Sequence, residues 1–186
     1  MIELQLTTQV TQALPRALTS INPARGWGWS GHQFSIAGRD CLLLLEHQSL
    51  YVMLFVGLSA SDYAAFQQVW QRRLLAEMLT VAELDPLQSS SLQIAVLEHS
   101  DALLLSDAQH LDEHPHLAKA VQGVKLLATR YGHLPNNESE EFRWGVILNQ
   151  ACGYQGTTPY LQFAKYCQKL IPESFEESMP VRTVWH

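Results

Sequence analysis

Cysteine, basic clusters and long apolar runs are all scarce in this chain, and each shortage removes a class of protein. The three cysteines, Cys41, Cys152 and Cys167, are odd in number and far apart, and no two make a C-x-x-C pair. That argues against a disulfide framework, and it predicts unpaired, reduced thiols. The longest apolar stretch, Tyr51 to Leu58, is far too short to span a bilayer. The opening residues Met1 to Leu6 have neither a basic n-region nor a long apolar core, so no secretory leader is expected and the expected compartment is the cytoplasm. The one adjacent basic pair is Arg72-Arg73, in a helix-like segment, and no basic face for phosphate neutralisation is evident. Neither nucleic acid nor membrane is expected as a partner.

What remains is an ordinary globular composition, 47% hydrophobic and 16% charged over 186 residues. One domain over residues 1–171 is expected, followed by a tail over 172–186. The net charge of −6 is not evenly spread. Residues 61–120 hold three basic and nine acidic groups, while the segments on either side are balanced.

Residues 2–6 alternate Ile, Glu, Leu, Gln, Leu, the pattern of a half-buried strand. Thr8 to Thr19 reads as a short helix disturbed by Pro15, and residues 22–31 read as a glycine-rich loop. Three apolar runs follow: Gln33 to Ala37, Cys41 to Glu46 after a Gly38-Arg39-Asp40 turn, and Tyr51 to Val56. Their short gaps predict an antiparallel meander. The unbroken run Leu42 to Leu45 predicts a central strand covered on both faces.

Ser59 and Asp62 have capping-box spacing. Phe66, Val69, Trp70, Leu74, Met78 and Val81 then recur at helical spacing, which predicts one helix over 61–84 closed by Asp85-Pro86. Leu92, Ile94 and Val96 alternate like a strand. Residues 101–113 fit either helix or loop. Three more helices are expected: Pro115 to Tyr131, one opened by Asn137 and Glu140, and one opened by Thr158-Pro159. The fold class expected is α+β, an antiparallel sheet of four to five strands packed by helices, with a helical C-terminal half.

Several motifs carry chemistry in other settings. Gly26 to Gly31 spells G-x-G-x-x-G, but a dinucleotide fingerprint needs a strand before it and a helix after it, and here that order is inverted. Gly57-Leu58-Ser59-Ala60-Ser61 approaches a nucleophile elbow, but hairpin strands do not place such a serine; Ser59 reads as a helix cap. His110-Leu111-Asp112-Glu113-His114 spells an inverted zincin pattern. Pro115 disfavours helical geometry at His114, so His110 and His114 are not expected to converge on one metal.

A looser ligand set, His99, Asp101, Asp107, His110, Asp112, Glu113, His114 and His116, has the donors for zinc, nickel or manganese. A solvated polar loop is the simpler account of it, and no cofactor is expected. Trp27 and Trp29 are the candidate binding residues. Exposed, they would form a recognition surface; the general tendency of large aromatics to pack favours burial.

The N-terminal strand and helix, the Trp-containing segment, the Gly38-Arg39-Asp40-Cys41 turn into an apolar strand, the second apolar strand, Gly57-Leu58 and the Asp62/Phe66 helix together carry a likeness. Over about residues 1–80 the chain resembles a family of small bacterial and phage domains of unknown function. At the position of the family's polar Arg-Ser motif this chain has His99-Ser100-Asp101-Ala102. The resemblance implies a bacterial source and an α+β fold, and it supplies no activity or catalytic residue. The function expected is that of a non-enzymatic binding or interaction protein, its partner a protein or small molecule, with homodimerisation compatible. The alternative is a metal-dependent hydrolase built on residues 99–116.

Overall fold

The computed structural model describes residues 2–6, 27–100, 103–107, 115–151 and 156–171. Five strands, β1 (Ile2–Leu6), β2 (Trp27–Ile36), β3 (Arg39–Glu46), β4 (Val52–Val56) and β5 (Leu103–Asp107), form one sheet in the order β4-β3-β2-β1-β5. Helices α1 (Ala60–Ala64), α2 (Phe66–Ala82), α3 (Pro86–Ser100), α4 (Pro115–Tyr131), α5 (Glu138–Ala151) and α6 (Pro159–Lys169) complete the described elements.

The meander β2-β3-β4 is antiparallel as expected. The rest of the sheet corrects the expectation of an all-antiparallel arrangement: β1 lies between β2 and β5 and runs parallel to both. Strand β5 comes from the stretch that read as helix or loop. The expected helix over residues 8–19 and the tail over 172–186 lie outside the described residues.

Strand β3 explains its own composition. Leu42 and Leu44 face one hydrophobic cluster with α2, α3 and α6; Cys41, Leu43 and Leu45 face another with α4 and α5. A strand buried on both faces has no reason to alternate apolar with polar residues. The molecule is thus layered, helices over both faces of the meander, with Trp29, Trp70 and Phe163 at the centre of the first cluster.

Three local expectations are overturned, each for a physical reason. Strand β2 begins at Trp27, so Trp27 to Gly31 are strand and not loop, paired on one side with β1. Gly28 is needed there because a side chain would collide with the His47 ring, which lies against it. The β2–β3 turn is Ala37-Gly38, both at positive φ (51° and 77°), which a two-residue hairpin loop demands; Arg39 and Asp40 already belong to β3. The Leu92-Ile94-Val96 alternation belongs to α3, not to a strand. Pro86 occupies its first position, while Asp85 Oδ1 accepts from Gln88 N at 2.8 Å and Asp85 N donates to Gln88 Oε1 at 3.2 Å. Leu92 and Val96, four apart, are buried, while Ile94 is 57% exposed.

The helix expected over 61–84 is interrupted. Ser59 does form a capping box with Asp62, but Ala65 departs from helical geometry (φ −110°, ψ 24°) and α2 restarts at Phe66, which is buried.

Strand β4 is at the edge of the sheet, and helix α5 closes that edge with side chains. Asn149 Oδ1 accepts from Val52 N at 2.8 Å, and its Nδ2 donates to Val52 O and to Gly145 O, each at 2.8 Å. Farther along, Glu141 Oε1 accepts from Val56 N at 2.9 Å. A covered edge cannot recruit a foreign strand. Asn149→Leu strands a buried N–H and C=O of Val52, each costing about 1–3 kcal/mol, so an overall loss of about 2–4 kcal/mol is expected in urea unfolding. Asn149→Asp keeps the acceptor, loses both donated bonds and buries a charge; it should be no less damaging.

Candidate functional site

The densest group of ionisable side chains lies where β4, α2 and α5 meet. Arg73 Nε donates to Glu77 Oε1 at 2.5 Å and its Nη1 to Glu141 Oε2 at 2.9 Å. Tyr51 donates its hydroxyl to Glu77 Oε2 at 2.8 Å, and the guanidinium sits 5.8 Å from the Phe55 ring centroid. All four polar residues are buried or nearly so. One cation serves two carboxylates, so burial raises the pKa of both Glu77 and Glu141 despite Arg73, and raises that of Tyr51 well above 10.0. Perturbed groups often mark active sites. Here each is bonded to another member or to strand β4, and three clefts of the described surface are lined by other side chains. The cluster braces α2 and α5 against the sheet.

A second arrangement has the geometry of a nucleophile and base: Ser30 Oγ lies 2.7 Å from His47 Nε2. Ser30 is 3% exposed, so its hydroxyl is not presented to a substrate; the pair ties β2 to the turn after β3.

Trp27 and Trp29 are in β2 with 5% and 0% exposure, so they do not form a recognition surface. Trp27 donates Nε1–H to Glu46 Oε1 at 3.1 Å and packs on Tyr166, with ring centroids 5.2 Å apart. Of the residues proposed as metal ligands, only the side chain of His116, in the first turn of α4, lies among those described. Those of His99, Asp101, His110 and His114 lie outside. Among the described residues no group of three or more His, Cys, Asp or Glu could hold a metal.

A third place combines exposure with polar chemistry. Between β3 and β4 the chain makes a single tight turn over residues 47–50, closed by Leu50 N donating to Glu46 O at 2.9 Å. Leu50 takes a positive φ of 60°. The buried Glu46 carboxylate caps this turn from below, accepting from Gln48 N, Ser49 N, Ser49 Oγ and Trp27 Nε1. Helix α6 lies alongside. Thr158 caps it, accepting from Leu161 N at 3.3 Å, and Pro159 opens it. Phe163 and Cys167 point into the core, which turns Gln162, Lys165, Tyr166 and Lys169 toward the turn. With Gln48, Ser49 and Thr157 these residues line a cleft of about 360 Å³.

Another cleft, of about 420 Å³ beside Ile36 and α4, has Ser35, Thr129 and His133 engaged, with Asp40, Lys125 O and Leu134 O respectively, and a single lysine, Lys125, on its wall. In the α6 cleft, the side chains of Gln162, Lys165 and Lys169 have no partner among the described residues. The sequence held one sign of this place: from Phe142 to Pro172 there is no acidic residue and three basic ones, in a chain of net charge −6.

The fold is that of an α+β domain, and no helix among the described residues is long and apolar enough to cross a membrane. Residues 3–94 match the family model of a domain of unknown function, DUF6933, and the N-terminal half of this chain belongs to that family. No curated protein matches the chain. The match runs from β1 into α3, so Glu141, Asn149 and all of α6 come from outside it.

Two outcomes are expected. Folding favours the neutral form of Glu77, so its contribution to stability is complete below 4.5, the unfolded value, and is lost as pH rises through the higher folded value. Unfolding free energies measured at steps from pH 4.5 to 8 should therefore shift in favour of Glu77→Gln, relative to wild type, as pH rises. Cys41 and Cys167 are unpaired and buried, their pKa values raised by burial to about 11 and about 12. Both should resist an aromatic disulfide reagent at pH 7.5 until the protein is unfolded. Rapid labelling of either thiol in the native protein would contradict the burial. Cys152 lies outside the described residues.

Proposed function

We propose that this chain is a non-enzymatic binding domain of the bacterial cytosol whose ligand site is the cleft between the 47–50 turn and α6. The observation that supports it is a contrast in how polar groups are used. The buried ionisable residues Tyr51, Arg73, Glu77 and Glu141 bond to one another, whereas Gln162, Lys165 and Lys169 present to an open cleft groups with no partner among the described residues. A volume of about 360 Å³ falls at the lower end of small-molecule sites.

A cleft-filling substitution tests the site. Gln162 is half-buried on the cleft side of α6, so Gln162→Trp should fold and close the cleft. A ligand at about 100 times its Kd stabilises by ~2.7 kcal/mol, which for a chain of this size raises the Tm by about 5–10 °C. Screening polar metabolite-sized compounds should yield such a shift in wild type and none in Gln162→Trp. A shift that survives the substitution places the ligand elsewhere.

The alternative is a metal-dependent hydrolase using His99, Asp101, His110, His114 and His116. Elemental analysis with a chelator challenge separates the two readings. The expected result is a metal-free protein whose Tm is indifferent to chelator. One stoichiometric zinc or nickel whose removal lowers the Tm would favour the hydrolase.

A further inference from the structure

We infer that the α6 cleft receives a compact dianion of the phosphate-ester class, carried on a small organic group. The inference rests on the reading of this cleft as the ligand site and specifies what enters it. Lys165 and Lys169 are four residues apart on one helix face, a spacing that brings their stems about 5–6 Å apart at Cβ. Two ammonium groups at that spacing repel when unneutralised. Among the described residues no carboxylate lines the cleft, and neither lysine has an ion-pair partner. A ligand carrying two negative charges would relieve that repulsion.

The neutral groups around the lysines suit the same ligand. Gln162 and Gln48 supply amide donors that a phosphate's acceptor oxygens can use. Tyr166 stays a hydroxyl donor at neutral pH, since burial raises its pKa to about 12. The Glu46 carboxylate lies beneath the adjoining turn. It lies fully buried and accepts four hydrogen bonds from Trp27, Gln48 and Ser49, so two cations face the cleft against one internally solvated anion. Lysine binds phosphate as a mobile point charge, without the fixed fork of arginine. That fits an exposed pair on a helix better than a buried clamp. The cleft, at about 360 Å³, is larger than a bare phosphate requires, which leaves room for the organic group beside the Tyr166 ring.

The test uses the full chain with glycerol 3-phosphate as probe, and with inorganic phosphate, succinate and glycerol as comparisons. Calorimetry gives affinity, and amide NMR shifts at residues 47–50 and 157–169 give location. Glycerol 3-phosphate should shift those amides and bind more tightly than inorganic phosphate or succinate, while glycerol should not bind. Lys165→Gln and Lys169→Gln, both at exposed positions, should each weaken binding roughly tenfold and leave the Tm of the free protein unchanged. Binding should also fall as salt is raised.

Equal binding of succinate would overturn the phosphate assignment. Binding that is unaffected by both lysine substitutions would overturn the site. If neutral compounds shift the cleft amides and no anion does, the dianion inference fails while the cleft remains a binding site. If nothing in the wider screen shifts those amides, both readings fall.

Discussion

The outer edge of β4 is the place on which the rest of this structure depends. An edge strand buried under helices cannot leave its outward N–H and C=O groups bare, because there is no water to satisfy them. The chain meets that requirement at two points with side chains of one helix, Asn149 for Val52 and Glu141 for Val56. Burying Glu141 creates a further need, since an isolated carboxylate in the interior is costly. Arg73 supplies the charge from α2 and reaches Glu77 as well, and Tyr51 closes the group from the start of β4. Breaking such a buried set at one member typically costs about 3–5 kcal/mol. Helices on opposite faces of the sheet are thereby joined through a polar group at its edge.

That arrangement also decides which polar groups are left exposed. Tyr51, Glu77 and Glu141, together with Cys41 and Cys167, face inward and are engaged or shielded. The meander is covered on both faces, so its surface is not available for recognition. The clefts among the described residues lie at its periphery, one where the turn after β3 meets α6 and another beside Ile36 and α4. The same turn is braced by Glu46 from beneath and by a backbone bond across it. A braced cleft wall is a favourable starting point for binding, because little ordering is needed when a ligand arrives.

The family match ends within α3, and its limit is informative. The matched half contributes β4 with its open edge, along with Arg73 and Glu77. The remaining half contributes Glu141 and Asn149, which close that edge, and α6, which makes one wall of the cleft. In this chain, then, the stability of the meander and the shape of the proposed site both draw on helices outside the matched region.

The sequence by itself determined the local features. The meander over residues 33–56, the two-sided burial of Leu42 to Leu45, the Ser59 cap and the helices opened by Pro115, Asn137 and Thr158 follow from period, turn chemistry and caps, all short-range. It misled where two periods coincide: Leu92, Ile94 and Val96 fit a strand, and only burial of Leu92 and Val96 four apart resolves them as helix. It also misled at Trp27 to Gly31, whose glycines suit a loop unless a neighbouring ring needs the space, as His47 does at Gly28. Tertiary structure alone decided the parallel pairing of β1, the bonds from Asn149 to Val52 across 97 residues, and the meeting of Gln48 with Lys165 and Lys169. These depend on which distant segments become neighbours, and a one-dimensional pattern carries no record of that. An acid-free stretch can show that a basic surface exists; only packing shows what it faces.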